Sequence, residues 1–444
     1  MELTQLTEIM RNSGVAGAGG AGFPSYAKLD KRADTIILNC AECEPLLKLH
    51  RQVLEKYALE IMTALDVIAK AVEAEKVIIA VKASYTGAVN AVKANLSKFE
   101  NMEIGLLPEI YPAGDEVVTI YETTGRVVAP GSLPITVGVT VFNVETILNV
   151  YNAITSGSPV TYKYITVAGE VKNPITLKAP LGITYGELIA MAGGATIKEY
   201  AIVAGGPMTG RIAHDSDVVT KTSNAVLVMP KNQYIVMKKT TPPEINLNRA
   251  MAACCQCNMC TDLCSRNLLG HPIEPHRFMR AISNGMTEDL NAYVNTFFCS
   301  SCGLCEMYSC GQGLAPAALI AKTKGMLRQG GVTAPKGIEA EQVHPQRDFR
   351  RVPMSRLTAR LGLTKYNVPA PLVDELVKAD SVKVMFSQSI GVPSVPVVKA
   401  GDRVKAGDVI GAAPEGKLGV AVHASMDGVV TEVNDKYAVI SAKG

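Results

Sequence analysis

The chain is 444 residues long, 48% hydrophobic and 19% charged, and its 44 basic and 41 acidic side chains leave a net charge of only +3. That balance gives no global reason to expect nucleic acid or an anionic membrane as partner. The apolar content argues against disorder, and the length predicts two to four domains.

The N-terminus, MELTQLTEIMRNSG, lacks the basic and apolar regions of a signal peptide. No run of about 18 apolar residues appears, so an intracellular, soluble chain without a transmembrane segment is expected. Leu3, Leu6, Ile9 and Met10 recur at helical spacing before a glycine-rich loop, Gly14 to Gly22. Thr35 to Leu38 is a short apolar strand ending at Asn39, and residues 52–74 read as one long helix. Val77 to Val81 is a continuous apolar run of the kind found in buried parallel strands, and Ser84 to Leu96 reads as a helix. The alternation predicts an α/β domain with a mostly parallel sheet over residues 1–158. From 159 to 240 the texture changes to short strands (Tyr164–Val167, Ala201–Val203, Ala225–Met229) and one helix, Thr184 to Ala192, stopped by Gly193-Gly194. This predicts a small mixed β domain, followed by a linker at Thr240-Thr241-Pro242-Pro243. Residues 245–330 read as helical between cysteine motifs, and 331–382 as a connecting segment. Residues 383–444 form a small all-β module, with Gly401-Asp402 and Gly407-Asp408 turns and strands at Val429–Val433 and Tyr437–Ile440.

Eleven cysteines are the unusual part of the composition, and eight of them lie between Cys254 and Cys310. Cys254, Cys257, Cys260 and Cys264 spell C-x2-C-x2-C-x3-C, and Cys299, Cys302, Cys305 and Cys310 spell C-x2-C-x2-C-x4-C. A cubane cluster needs four thiolates around a compact core; three can come from one tight loop and the fourth from elsewhere. In two-cluster ferredoxin modules the fourth cysteine of each run ligates the other cluster. One [4Fe–4S] cluster is therefore assigned to Cys254, Cys257, Cys260 and Cys310, and the second to Cys299, Cys302, Cys305 and Cys264. The alternative, a pair of zinc sites, matches poorly, because zinc takes C-x2-C pairs separated by a longer gap. The second run departs from the common spacing, and Ser265 and Gly311 stand where a proline is usual. Cys255 adjoins a ligand and is expected to pack away from it. Cys40 and Cys43 leave open a redox disulfide or a structural role, with no thioredoxin pattern beside them.

GVAGAGGAGFP holds Gly14, Gly17, Gly19, Gly20 and Gly22, a density that lets backbone N–H groups approach a phosphate without a Cβ in the way. It is neither a Walker loop nor a strand-turn-helix dinucleotide fingerprint, and alone it could equally be a flexible loop. Taken together, GAGGAGFPSYAK, NCAECEP at Asn39–Pro45, YPAGDE at Tyr111–Glu116 and FNVET at Phe142–Thr146 resemble a known flavin-binding domain. That domain is shared by the flavoprotein subunit of respiratory complex I and the RnfC subunit of the Rnf electron-transport complex. Residues 159–240 look like that superfamily's soluble-ligand-binding β-grasp (SLBB) domain, and two ferredoxin-type motifs follow as in RnfC. RnfC carries a barrel-sandwich module at its N-terminus, whereas here it lies at the C-terminus. That order is similar to the PduS-type cobalamin reductases of bacterial microcompartments.

The resemblance implies a multidomain α/β protein: a Rossmann-like FMN domain, a β-grasp domain, a helical double-[4Fe–4S] ferredoxin-like domain and a C-terminal all-β barrel-sandwich module. It implies that Gly17, Gly19, Gly20 and Gly22 line the flavin phosphate and ribityl chain, with Lys28 as charge partner. Asn39, Glu42 and Asn143 would hydrogen-bond the flavin, and Phe23 and Glu44 would meet the nicotinamide nucleotide. Glu42 and Glu44 could instead cap helices. Lys82-Ala83-Ser84-Tyr85 stands where complex I flavoproteins have an acidic Gly-Glu pair, a departure within the NADH site. The C-terminal hairpin tip, His423 to Gly428, has no lysine to carry a lipoyl group, so the module reads as structural or as a docking surface. The run Arg347, Arg350, Arg351, Arg356, Arg360 reads as a solvated or ion-paired face. The implied function is electron transfer from NADH through FMN and two [4Fe–4S] clusters to a corrinoid or corrinoid protein, in or beside a microcompartment and in contact with its enzymes or shell. The alternatives are an RnfC-like peripheral subunit of a membrane complex and an electron conduit without its own NADH site.

Overall fold

The computed structural model describes residues 1–442. The first unit is built on a four-stranded sheet in the order β3-β2-β1-β5, with β1 (Thr35–Cys40), β2 (Lys76–Lys82), β3 (Met102–Leu107) and β5 (Val139–Asn143) all parallel. A short strand, β4 (Ile110–Tyr111), stands apart from it. Both faces of the sheet are covered, so the middle of β1 (Ile36–Leu38) and of β2 (Val77–Val81) is continuously apolar rather than apolar at alternate positions. Ile36, Leu38, Val77 and Ile79 pack on one side with residues of α1 (Leu3–Asn12), α2 (Leu49–Lys56), α3 (Ala58–Val72), α4 (Thr86–Lys93) and α6 (Val144–Ser156). Ile37, Ile78, Ala80 and Val141 face the other way, toward α5 (Glu116–Thr124). The expected single helix over 52–74 is two helices, interrupted at Tyr57 (φ −118°, ψ 32°), whose phenol donates to Asp374. The helix expected from Ser84 is shorter, Thr86–Lys93, and is followed by a 3-10 turn.

The second unit is a six-stranded mixed sheet, ordered β12-β7-β6-β10-β8-β9. Its strands are β6 (Tyr162–Gly169), β7 (Ile175–Pro180), β8 (Tyr200–Ala204), β9 (Arg211–Ala213) and β10 (Ala225–Pro230). Helix α7 (Tyr185–Met191) opens on a capping box: Thr184 accepts from the Glu187 N–H while Glu187 accepts from the Thr184 N–H. The sixth strand, β12 (Leu372–Leu376), comes from the stretch read as a connector, as does β11 (Val352–Pro353), which pairs with β4. The two units are riveted by a buried ion pair between Glu145, in the first turn of α6, and Lys163 of β6.

The cysteine region is mostly short helices after α8 (Tyr234–Thr240): α9 (Pro243–Ala253), α10 (Met259–Asp262), α11 (Pro275–Ser283), α12 (Leu290–Val294) and α13 (Pro316–Gln329), with α14 (Met354–Arg360) beyond. Phe278, Met279, Leu319 and Ile320 form its small core. The C-terminal module faces two sheets across a core of Val382, Val384, Phe386, Ile410, Val430 and Ile440. One sheet is ordered β13-β19-β18-β15, from β13 (Ser381–Met385), β15 (Arg403–Val404), β18 (Gly428–Val433) and β19 (Tyr437–Ser441). The other is β14 (Val395–Pro396), β16 (Val409–Ala412) and β17 (Val422–His423). The repeated Gly-Asp pairs are turns, with Gly401 at φ 93° and Gly407 at φ 98° and Asp402 and Asp408 capping the Lys399 and Lys405 N–H groups. Most of the arginine run is ion-paired: Arg347 and Arg351 to Glu122, and Arg350 to Asp262. Among the described residues no helix is long and apolar enough to cross a membrane.

Candidate functional site

In an open parallel sheet a ligand crevice forms outside the carboxyl ends of the strands, where the strand order reverses. Here that point lies between β1 and β5. A cavity of about 860 Å³ opens there, lined by Gly17, Gly19, Gly20, Gly22, Phe23, Lys28, Asn39, Glu42, Glu44 and Asn143. All ten residues singled out in the sequence therefore meet at one place. The N-termini of α5 and α6 also open onto it through Asp115, Glu116, Asn143 and Thr146. Two helix starts turn their positive dipole ends toward it, which suits a bound phosphate, while Asp115 and Asn143 already cap the Val117, Val118, Glu145 and Thr146 N–H groups.

The loop explains its own glycines. A Cβ on Gly19 would collide with the Asn143 amide, whereas Gly20 has open space where its Cβ would be. The loop folds back on itself by Gly17 N–H to Phe23 O (2.9 Å), and Ala18 N–H donates to Thr146 Oγ1 (2.9 Å). Lys28 reaches between Glu116 Oε1 and Val141 O, each at 2.9 Å. Asn143 caps α6 through Oδ1, and its amide nitrogen lies 3.1 Å from His50 Nε2. Burial pushes His50 down to about 4, so its ring is neutral at physiological pH and Nε2 is free to accept from Asn143.

The two acids are less free than their motif implies. Glu42 is fully buried, accepting from the His50 N–H (2.8 Å) and from Arg51 Nε (2.7 Å). Burial works against its charge, but Arg51 prevails and holds the carboxyl below the usual range. Glu44 is turned into the β-grasp unit, where it accepts from the Met208 N–H and from the N–H and hydroxyl of Thr209. Its carboxyl is pushed up, chiefly by burial. Both oxygens of each carboxylate are occupied within the protein. A direct bond from either to a ligand therefore needs one of these partners to give way. Glu42 does cap α2, because His50 lies in that helix's first turn, whereas Glu44 caps no helix. Asn39 likewise spends its amide on Gly114 O and its oxygen on the Ala41 N–H.

Sequence reading missed three groups here. Arg51 stacks 3.7 Å over the Tyr85 ring and fixes Glu42. His50 lines the cavity. The β-grasp unit supplies the facing wall, with Thr209, Arg211, Thr220 and Thr222 among its residues. None belongs to a local pattern; only an arginine six residues after NCAECEP hints at the first.

The far end of the cavity reaches Ser300, Ser301 and Cys302, in the second cysteine run. Tyr111 Oη donates to Cys302 O (2.6 Å), and Arg266, two residues after Cys264, pairs with Asp115 (3.0 Å). The glycine-loop cavity and the cysteine region thus share a wall.

The eight motif cysteines fall into two groups. Cys254, Cys257, Cys260 and Cys310 line one small cavity of about 70 Å³, together with His276 and Met279. Burial pushes the Cys260 thiol up to about 12, and Cys257, Cys310 and Cys254 add to the shift. In the second group burial and then Cys264 push Cys302 up to about 12, and burial with Cys299 pushes Cys264 up to about 11. Cys305 is raised by burial and then by Cys299, Cys302 and Cys264. Thiols this basic are held protonated until a metal displaces the proton. Among the described residues no three His, Cys, Asp or Glu side chains converge closely enough to hold one ion. The donor set, thiol only and with N–H···S bonds to Cys299 and Cys310, is that of an iron–sulfur site. Cys255, expected to pack away from the ligands, is instead exposed and lines the small cavity beside them, whereas Cys40 is fully buried and Cys43 lines the large cavity.

Four domain models match the chain in order: the Nuo51 FMN-binding domain over residues 10–152, the SLBB domain over 164–212, a 4Fe-4S dicluster domain over 253–315 and the RnfC barrel sandwich hybrid domain over 365–443. Among known proteins, the chain is 37% identical over 438 residues to the cobalamin reductase PduS of Citrobacter freundii, covering 98% of this chain and 96% of that one. It is 36% identical to PduS of Salmonella typhimurium with the same coverage. Over 60% of its length it is 31% identical to a component of the Na+-translocating ferredoxin:NAD+ oxidoreductase complex of Acetobacterium woodii, covering 59% of that component. Among solved structures, an NAD+-reducing [NiFe]-hydrogenase in the air-oxidized state shares the fold, with a TM-score of 0.50 and 19% identity, over 82% of this chain and 66% of that one.

Proposed function

The chain belongs to the RnfC/Nuo51 FMN-binding family that includes the PduS cobalamin reductases, and on that premise we propose that it is an NADH-dependent reductase of a corrinoid acceptor. As a family member it is an FMN and 4Fe-4S electron-transfer oxidoreductase. The donor, the acceptor and a place in or beside a microcompartment are the finer parts of the proposal. FMN, when bound, supplies the step from a two-electron donor to one-electron carriers.

One observation carries the reading: a single cavity runs from the glycine loop and two helix N-termini to the backbone of Cys302. Gly17, Gly19, Gly20 and Gly22 would cradle the flavin phosphate and ribityl chain, with Lys28 close by. Asn143, held by His50 and by its cap on α6, would present its amide to the isoalloxazine edge. Phe23 and the β-grasp wall would close on the nicotinamide nucleotide. Cys254, Cys257, Cys260 and Cys310 would hold one [4Fe–4S] cluster, and Cys299, Cys302, Cys305 and Cys264 the other. Tyr111 would keep the second cluster against the flavin, since its hydroxyl is bonded to a ligand's own carbonyl.

One observation favours a second reading, an electron conduit fed by a protein donor. At the end of β2 no acid is free: Lys82 lies 3.6 Å from Glu109, and Arg51 covers Tyr85. Anaerobic reconstitution separates the two. NADH is expected to bleach the flavin absorbance and then to drive reduction of added cob(III)alamin or cob(II)alamin. Bleaching by dithionite but not by NADH contradicts the donor and selects the conduit. Bleaching by NADH with no corrinoid reduction contradicts the acceptor.

A further inference from the structure

Both ends of the glycine-rich loop are held from outside the α/β unit. At the first end, Lys221 of the β-grasp unit donates through Nζ to Gly14 O (2.7 Å) and to Ala421 O of the C-terminal module (2.8 Å). At the second end, the Ile390 N–H of the C-terminal module donates to Gly22 O (2.9 Å). The two ends are linked by Gln388, whose side-chain oxygen accepts from the Lys221 N–H (2.9 Å). The fit is close. A methyl on Gly14 would stand 2.5 Å from both Ala421 O and Lys221 Nζ, and one on Gly22 would meet Thr222 at 2.8 Å. Between these ends Gly17, Gly19 and Gly20 are left to face the cavity.

Lys221 is an unusual residue to spend on packing. It is 2% exposed, its amine bonds two carbonyls rather than a carboxylate, and burial alone pushes it down to about 7. A buried amine without a counter-charge is costly, so its two carbonyl bonds must be made. The hairpin tip of the module is equally committed. His423, Ala424 and Ser425 are buried, and Ser425 Oγ donates to Leu181 O of the β-grasp unit (2.5 Å). The first half of the tip where a lipoyl-type domain would display its lysine is turned into the protein, while Asp427 stays exposed.

We propose that the C-terminal module is a clamp on the glycine-rich loop, and that Lys221 is the positioning residue that locks it there, so that two units outside the α/β fold complete the flavin site. This rests on reading the loop as the FMN cradle. With both ends fixed, the loop meets the flavin in its binding shape and the ordering cost at binding falls.

The test uses the full chain with its clusters reconstituted, titrated with FMN, for wild type, Lys221→Met and the milder Gln388→Ala. Hydrogen exchange of amides 15–23 is followed in parallel, with iron content as the fold control. Both variants are expected to bind FMN at least tenfold more weakly. Exchange should quicken at residues 15–23 but not in α9 to α13, and iron content should hold. Unchanged FMN affinity in both variants overturns the clamp, as does exchange that quickens evenly along the whole chain. If wild type takes up no FMN, the cradle reading itself has failed, a different result from a variant that binds as wild type does.

Discussion

At the scale of single residues, the site separates groups that face the cavity from groups that hold others in place. Within the glycine-rich loop Gly19 leaves the least room, because a methyl group there would stand against the Asn143 amide. Gly19→Ala is expected to weaken FMN binding at least tenfold while leaving the iron content unchanged, as measured by flavin titration and metal analysis. The cysteines test the exchanged ligand sets. Cys260→Ser should lose one cluster and Cys305→Ser the other, each keeping about half of the roughly eight irons of two cubanes. Loss of both clusters in either variant would contradict the division into two groups. The sequence motifs named these cysteines directly, because three ligands of each set lie within one turn-sized spacing. They also named Glu42 and Glu44, but no motif could reveal that Arg51 and the Thr209 loop already occupy those carboxylates.

At the scale of elements, helix starts do two jobs. Asp115 caps α5 by accepting from the Val117 and Val118 N–H groups and also pairs with Arg266 beside the second cysteine group. Asp115→Ala removes a cap worth about 1 kcal/mol and leaves a mostly buried arginine without its partner. A loss of about 2–4 kcal/mol is expected in denaturant unfolding. Tyr111→Phe should be gentler, about 1 kcal/mol for one hydrogen bond. Its effect belongs to electron transfer, with FMN content kept and flavin-to-cluster transfer slowed. The parallel strands and β-grasp helix were legible because their periodicity and caps are local. Strands β11 and β12 were not, since two to five residues that pair with partners about 195 to 245 positions away carry no pattern of their own. The split of α2 from α3 was hidden for the same reason, because the Tyr57 side chain there binds a residue 317 positions distant.

At the scale of the whole molecule, the units are stitched by polar groups buried between them, and this shapes the response to acid. His50 and His271 are pushed down to about 4, and His423 to about 3, each chiefly by burial, against an ordinary value of 6.5. Their folded values lie below the unfolded ones, so the unfolded chain takes up more protons as pH falls. Stability is therefore full above pH 6.5 and is lost progressively between 6.5 and about 4. Each residue contributes about 1.4 kcal/mol per pH unit within that window. Denaturant midpoints of the metal-free chain should fall steeply from pH 6.5 to 5; a midpoint flat across that range would contradict the neutral, buried state of these rings. The domain order could be read along the chain. The three-way junction at Lys221 could not, because it exists only once residues 14, 221 and 421 are brought together.

The central claim is that one chain joins a flavin cavity to two iron–sulfur clusters across the Tyr111–Cys302 wall. The most direct measurement is an anaerobic single-turnover experiment with NADH, following flavin absorbance and the cluster signals together in FMN-loaded and FMN-free protein. The account predicts flavin bleaching first, cluster reduction after it, and no cluster reduction without FMN. Clusters reduced by NADH equally fast in the FMN-free chain would contradict it.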